Sequence, residues 1–286
     1  MRVIIFLSLI LLFLSCTKQI EITQKFHDPK YVVNCLFSND NIFEINLTKS
    51  IQINDTNTYV VKNAEIELFE NGVFVENLFW NDSSKKYNST IFPTSNKIYT
   101  IVVTTDDNIV LTATDTLPSR VEITELSYNQ FAYINDEADL MSENTLYFNT
   151  NLQAINFYQI MMFFDIENFP FNWENLKSRD SIILKEQTFT YSTKYLIFSD
   201  KIFYQNPSSI SFSFKYSDFS PLNYIIQFKR ISYSYFMFKK MLRLHIDNQN
   251  SDIWDGVSDP VQMYSNIENG YGIFAGYTID TIHLNL

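Results

Sequence analysis

Cys16 is the residue whose chemistry is easiest to interpret, because it directly follows an apolar run at the start of the chain. Arg2 precedes the run, which spans Val3–Leu14 and is apolar apart from one serine, and Ser15 is a small residue just before the cysteine. A helix that spans a bilayer needs about 20 apolar residues, so this run is too short to be one. It is typical of a secretory signal peptide, and it predicts that residues 1–15 are removed from the mature protein.

The sequence LFLSC around the cleavage site resembles the lipobox of bacterial lipoprotein signals, although Phe13 stands where leucine is commoner. The resemblance implies that the sulfur of Cys16 is diacylated and that this cysteine becomes the first residue of the mature chain. Residues 16–29 are polar and lack a sustained periodicity, so we interpret them as a lipidated tether. The alternative is an ordinary secreted protein with an incidental cysteine at this position.

Charge and composition restrict the partners. The 286 residues carry a formal net charge of −11, which repels phosphate backbones and makes nucleic acid an unsuitable partner. An anionic membrane surface would also repel the chain, so a covalent lipid is the expected means of attachment, and two acyl chains anchor stably where one does not. With 46% hydrophobic residues, the chain can bury sizeable cores, and its length suggests two domains.

The other residues that could perform chemistry form no catalytic or metal-binding pattern. The three histidines are His27, His245 and His283. They are far apart and match no zinc motif, and the sequence contains no nucleophile elbow and no phosphate-binding loop. The acidic loops near Asp136 and Asp255 lack the spacing of a calcium loop. We interpret them as solvated surface and leave calcium binding open. The sequence therefore predicts no cofactor, no metal site and no catalytic residue.

The first half of the mature chain has the pattern of a β-sandwich. Short segments with alternating apolar residues run from Tyr31 to Thr114, with turn signals between them. Asn71-Gly72 predicts a hairpin, because a type I′ turn needs positive φ at both central residues. Cys35 alternates in phase with apolar neighbours, so we expect a buried thiol. These features predict a sandwich of immunoglobulin or fibronectin type III kind over residues 30–118.

Residues 119–286 predict a larger antiparallel β-domain with one packed α-helix, so that the whole protein is mainly all-β. Ile182–Thr190 and Tyr195–Phe203 are among its expected strands. The helix is predicted at 232–246, where apolar residues recur at helical spacing and Ser232 can cap the first turn.

Exposed aromatic residues in two loops of the second half are candidates for a partner or ligand surface. They are Phe169, Phe171, Trp173 and Trp254. Burial in the core is the more frequent fate of such large side chains.

With these residues in view, the chain resembles a family of Bacteroidota outer-membrane lipoproteins that carry a domain of unknown function, DUF4249. The resemblance rests on the lipobox and on Lys30–Asn34, Ala64–Gly72, Tyr99–Ile101, Ala113–Pro118 and Asp259–Tyr277. It implies attachment to the outer membrane through the N-terminal lipid and a partnership with a TonB-dependent transporter. It supplies no catalytic residues.

Three short segments resemble the Asp-Ser/Thr-aliphatic sites of periplasmic O-glycosylation. Their hydroxyl residues are Thr116, Ser181 and Thr281. The pattern is short, and chance matches to it are expected.

We therefore expect a non-enzymatic binding or accessory lipoprotein with an unidentified ligand. One alternative is a surface-attached glycan or peptide hydrolase whose carboxylates are dispersed in sequence, and another is an adhesin or structural spacer. A deep pocket with two carboxyl groups about 5–10 Å apart would favour the hydrolase. A shallow apolar patch would favour binding.

Replacing Cys16 by alanine is expected to abolish acylation, because the cysteine sulfur carries the lipid. The Cys16→Ala variant should incorporate no radiolabelled palmitate and should leave the membrane fraction. Cys35→Ala is the matched control, since it removes the other cysteine and leaves the signal intact, and it should stay labelled. Persistent labelling or membrane retention of Cys16→Ala would contradict the anchor.

Overall fold

The computed structural model describes residues 28–52, 55–150, 153–164, 175–186, 193–201, 208–216, 223–249 and 261–285. Within these segments the chain forms sixteen strands and two helices. The elements up to residue 116 are β1 (Tyr31–Phe37), β2 (Glu44–Lys49), β3 (Tyr59–Val60), β4 (Glu65–Glu70), β5 (Val73–Asn77), β6 (Phe79–Asn81), β7 (Lys86–Asn88), β8 (Ile98–Thr104) and β9 (Val110–Thr116). The later elements are β10 (Glu122–Ile134), β11 (Leu140–Asn149), β12 (Phe157–Phe164), α1 (Ser181–Glu186), β13 (Leu196–Ser199), β14 (Ser208–Lys215), β15 (Asn223–Ile231), α2 (Tyr233–Gln249) and β16 (Tyr271–Asn285).

The strands form three sheets. The largest has nine strands in the order β13-β12-β15-β16-β1-β2-β7-β6, with β3 paired to β2. One end of this sheet packs against the four-stranded sheet β5-β4-β8-β9, and the other end packs against the three-stranded sheet β10-β11-β14. The prediction of a mainly β fold with antiparallel sheets, a sandwich and one packed helix is confirmed.

Alternation along β1 shows why the first sandwich forms. Val33, Cys35 and Phe37 are buried in the core, whereas Asn34 and Leu36 are exposed on the opposite face of the strand. The predicted hairpin is also confirmed, since β4 pairs with β5 across a turn whose Asn-Gly residues have φ values of 49° and 79°.

Stacked aromatic rings dominate the second core. The ring of Tyr158 lies 5.1 Å from that of Phe198 and 5.4 Å from that of Phe228, and Phe148 lies 4.9 Å from Phe228. These four side chains come from β11, β12, β13 and β15, so the core ties both sheets of the second sandwich together.

A single strand, β16, belongs to both sandwiches. Residues 271–276 pair in parallel with β1, and residues 277–285 pair antiparallel with β15. Gly272 has φ of +111°, and a Cβ there would lie 1.9 Å from the carbonyl oxygen of Val33, so only glycine fits this close approach. Ile267 and Phe274, which fall in the range 119–286, lie in the first core. The division of the chain into domains at residue 118 stays a prediction.

Helix α2 packs on the outer face of the large sheet, which is the face away from both cores. Its start agrees with the predicted cap, because the Tyr235 amide donates to Ser232 Oγ at 3.2 Å. The helix extends to Gln249, three residues beyond the predicted end. Tyr235 and Phe236 are buried against Ile197, Ile231 and neighbouring sheet residues.

The structure corrects one predicted strand. Within Ile182–Thr190, the described residues begin in helix α1 rather than in a strand. Asp180 decides this locally, because its Oδ1 accepts from the Ile182 amide at 2.9 Å and so caps the first turn. A short apolar run does not distinguish a strand from a buried helical turn by its periodicity. The strand predicted at Tyr195–Phe203 is shorter, with bounds Leu196–Ser199.

Asp115, at the end of β9, links the first sandwich to both β16 and α2. Its Oδ2 accepts from Ser232 Oγ at 2.5 Å and from the Gly276 amide at 3.2 Å. Burial raises the pKa of this carboxyl from 3.8 to about 6, although the same hydrogen bonds act to lower it. The folded state therefore holds the proton more tightly than the unfolded chain does.

This difference predicts a pH dependence of stability. As pH rises from about 4 to about 6, the folded protein must deprotonate a buried carboxyl, so wild type should lose about 1–3 kcal/mol of unfolding free energy relative to Asp115→Asn. Urea unfolding of both proteins between pH 4 and 7 measures the difference, in which the other carboxylates cancel. If the unfolding free energy of wild type relative to Asp115→Asn stayed constant or increased with pH, the assignment would be contradicted.

Candidate ligand-binding cleft

A cleft of about 610 Å³ lies on the outer face of the large sheet, beside α2. Its floor comes from β1, β2 and β16, and Phe238 of α2 forms one wall. Alternation along β1 explains the floor, because Asn34 and Leu36 point away from the first core while Cys35 points into it. Asn34 lies directly opposite Asn46 on one side and Ile273 on the other, so these side chains share one face.

One side of the cleft is polar. Asn34 and Asn46 supply amide groups, each of which can both donate and accept hydrogen bonds. Beside them Lys86 Nζ lies 2.7 Å from Glu44 Oε2, with the two side chains 38% and 44% exposed. An ion pair this exposed contributes little to stability, but it makes this side of the cleft neutral overall.

The other side is apolar and aromatic. Ile273 is buried, and Phe238 and Tyr277 are partly buried against the same helix-packed cluster. Burial raises the pKa of Tyr277, so its hydroxyl is neutral at physiological pH. An apolar wall that faces a few polar groups is the usual lining of a ligand site.

The cleft lacks the arrangement that glycosidic hydrolysis needs. Among the described residues that line it, Glu44 is the one carboxylate, and it is paired with Lys86. Two carboxyl groups about 5–10 Å apart would be required for that chemistry. The lining is suited to holding a ligand by hydrogen bonds and apolar contact.

Cys35 lies behind the cleft floor with its side chain in the first core. It is 3% exposed, and burial raises the pKa of its thiol to about 12. The nucleophilic form of a cysteine is the thiolate, so this thiol is inert at neutral pH. The predicted buried thiol is confirmed.

The described lining of the cleft includes none of the site residues predicted from the sequence. Those outside the described residues are Cys16, Phe169, Phe171, Trp173 and Trp254. The candidate glycosylation residues Thr116, Ser181 and Thr281 are exposed and lie on β9, α1 and β16 respectively. Glycosylation at them stays a prediction.

Sequence reasoning missed the cleft itself. Its lining combines Asn34 and Asn46 with Ile273 and Tyr277, which follow more than 200 positions later. The local signal was the presence of polar residues at alternate positions of predicted strands. That signal indicates an outward face and does not reveal which other strand or helix borders it.

In the segments that the structure describes, no helix is long and apolar enough to span a membrane. Over the same segments, no three histidine, cysteine, aspartate or glutamate residues are grouped closely enough to hold a metal ion.

Fold and cleft together define a mainly β protein of two sandwiches that share a sheet. The chain belongs to the family described as domain of unknown function DUF4249, whose model matches residues 17–283. The resemblance seen in the sequence is therefore confirmed at the level of the family. That description names no enzymatic activity, and no curated protein matches the chain.

Two solved structures are similar over part of the chain. A "putative membrane anchored protein" from Corynebacterium diphtheriae is 12% identical with a TM-score of 0.24, covering 73% of this chain and 56% of the other. A glycosyl hydrolase family 2 member from Bacteroides cellulosilyticus DSM 14838 is 15% identical with a TM-score of 0.22, covering 66% of this chain and 23% of the other. The chain thus spans less than two thirds of either protein, and similarity this low carries no inference about activity.

The burial of Cys35 predicts its reactivity. In the Cys16→Ala protein, which retains Cys35 as its one thiol, a disulfide reagent such as DTNB should release no chromophore at pH 8 while the chain is folded. One equivalent should appear after addition of denaturant. Rapid labelling of the native protein would show that Cys35 is accessible from the cleft and would contradict its place in the core.

Proposed function

We propose that the protein is a lipid-anchored binding component of the outer membrane that holds a ligand in the cleft beside α2 and serves a TonB-dependent transporter. The observation that carries the binding role is the lining of the cleft. It combines the amides of Asn34 and Asn46 with the apolar side chains of Ile273 and Phe238. This composition supports recognition of a ligand that has both polar and apolar faces.

The anchor and the transporter are supported by different observations. The apolar run before Cys16 supports acylation at that residue, and a polar tether after it would let the folded part lie at some distance from the bilayer. Membership of the DUF4249 family, together with the resemblance described above, supports the outer membrane and the transporter.

The hydrolase alternative receives less support. Its chemistry needs a second carboxyl group near the first, and the described lining contains Glu44 alone, in an ion pair with Lys86.

Affinity purification of the anchored protein from membranes in mild detergent tests the partnership. We expect a barrel transporter to be recovered with the wild-type protein, and mass spectrometry identifies it. The Cys16→Ala variant should recover much less of it, because the lipid no longer brings the two proteins into one membrane. Recovery of no transporter with the wild type would contradict the proposal.

A cleft-filling variant tests the binding role separately. Asn34→Trp places an indole on the exposed floor, so native mass spectrometry should show loss of small molecules that the wild type retains from a cell extract. Asn77→Trp on β5 is the matched control, since it adds the same side chain at an exposed strand position outside the cleft. Equal retention by both variants would contradict the assignment of the cleft.

A further inference from the structure

Two lysines beside α2 lack a carboxylate partner. Lys229 lies on β15 and Lys239 on α2, and both side chains are partly buried. No carboxylate in the described ranges lies within 4.0 Å of either amine, whereas Lys86, Lys177 and Lys215 each form an ion pair. Cations that are withdrawn from solvent are normally paired with a carboxylate, so these two partly buried lysines need an explanation.

Their contacts are with tyrosine rings. Lys229 Nζ lies 4.8 Å from the ring centroid of Tyr277, and Lys239 Nζ lies 5.0 Å from that of Tyr195 and 5.7 Å from that of Tyr235. Tyr235 and Tyr277 pack edge to face at 5.8 Å, which places both cations around one aromatic cluster. A ring face attracts an ammonium but accepts no strong hydrogen bond, so the N–H donors stay available.

Burial lowers the pKa of both lysines. Burial, and then the charge of Lys239, lowers the pKa of Lys229 to about 8. Burial also lowers the pKa of Lys239. At a pKa of about 8, Lys229 remains mainly protonated at neutral pH. An anion placed beside the two amines would favour their charged forms.

An independent observation at the same place is the side chain of Gln159. It is completely buried, and neither its Oε1 nor its Nε2 has a hydrogen-bond partner in the part of the chain that the structure describes. Gln159 on β12 lies directly opposite Lys229, so the two side chains share the face that α2 covers. Its other cross-strand neighbour, Ile197, packs in the helix cluster on that face. A buried amide without partners indicates that something else supplies them.

We propose that Lys229, Lys239 and Gln159 form a binding site for a small oxyanion, of the phosphate, sulfate or carboxylate class, between α2 and the sheet. The two ammonium groups donate to the anion's oxygens, and Gln159 Nε2 donates a third hydrogen bond. A buried water could satisfy the amide but would leave two like charges uncompensated. The site is independent of the proposed lipid anchor and transporter. Tyr277, whose ring contacts Lys229, also lines the cleft.

Calorimetric titration of the mature lipoprotein in non-ionic detergent tests this site. The titrants are sodium phosphate, sodium sulfate and sodium acetate at constant ionic strength, with chloride as the reference. We expect one saturable site for at least one oxyanion. Lys229→Met and Lys239→Met, which keep the aliphatic stems, should each weaken it about tenfold or more, because each removes a charge-assisted hydrogen bond.

Lys240→Met is the matched control. Lys240 is the next residue of the same helix, and its amine lies 5.6 Å from the ring centroid of Phe236, outside the proposed site. It should leave the affinity within about twofold of wild type, because its amine contacts a different ring and donates no hydrogen bond to the proposed anion. The same loss in all three variants would assign the effect to general charge and overturn the site.

A measurement on the wild type makes the test independent of variant folding. NMR of the lysine side chains should show the pKa of Lys229 rising when the bound oxyanion is added, since the anion favours the charged amine. No saturable binding of any of the three oxyanions, or an unchanged pKa at saturation, would overturn the proposal. The relative affinities for phosphate, sulfate and acetate then identify the class of anion.

Discussion

Backbone pairing along β16 is the interaction on which the rest of the structure depends. Its first six residues hydrogen-bond in parallel to β1, and the remainder pairs antiparallel with β15. The two sandwiches therefore share a continuous sheet, and neither can shift without breaking a row of backbone hydrogen bonds. Alternation along this strand sends Phe274 into the first core and Ile273 to the opposite face, where α2 packs.

Polar contacts fix the junction around that strand. Arg230 donates to Ser119 Oγ in the connection between the sandwiches and to Asn156 Oδ1. The backbone N–H of Asn156 in turn donates to Asp200 Oδ1 at 2.7 Å. Asp115 accepts hydrogen bonds from Ser232, which caps α2, and from the backbone amide of Gly276. These groups are largely buried and would be costly to leave unpaired, so they favour one relative arrangement of the strands and the helix.

The same arrangement creates the surfaces to which we assign function. Because α2 covers only part of the outer face, the uncovered part becomes the floor of the cleft, and the covered part encloses Lys229, Lys239 and Gln159. The ligand cleft and the proposed oxyanion site thus both border Tyr277. Both lie after the N-terminal segment in which the sequence predicts the lipid anchor.

Local chemistry determined what could be predicted. The alternation around Cys35, the Asn-Gly turn and the capped helix each depend on neighbours within a few residues, so the β-rich fold and α2 could be predicted. The signal peptide before Cys16 rests on equally local features and stays a prediction. The strand predicted at Ile182 failed for the same reason, because a short apolar run fits either structure and the Asp180 cap decided between them.

Nothing local indicated that the C-terminal strand returns to pair with β1, or that Asn34 and Tyr277 would border one cleft. Such contacts join residues more than 200 positions apart, and they are decided by which edges and faces fit together once the cores pack. The sequence by itself determined the class of fold and the expected anchor. Tertiary structure alone decided the shared sheet, the cleft and the position of Lys229 opposite the buried Gln159. The reason is that burial and charge at those positions depend on distant neighbours.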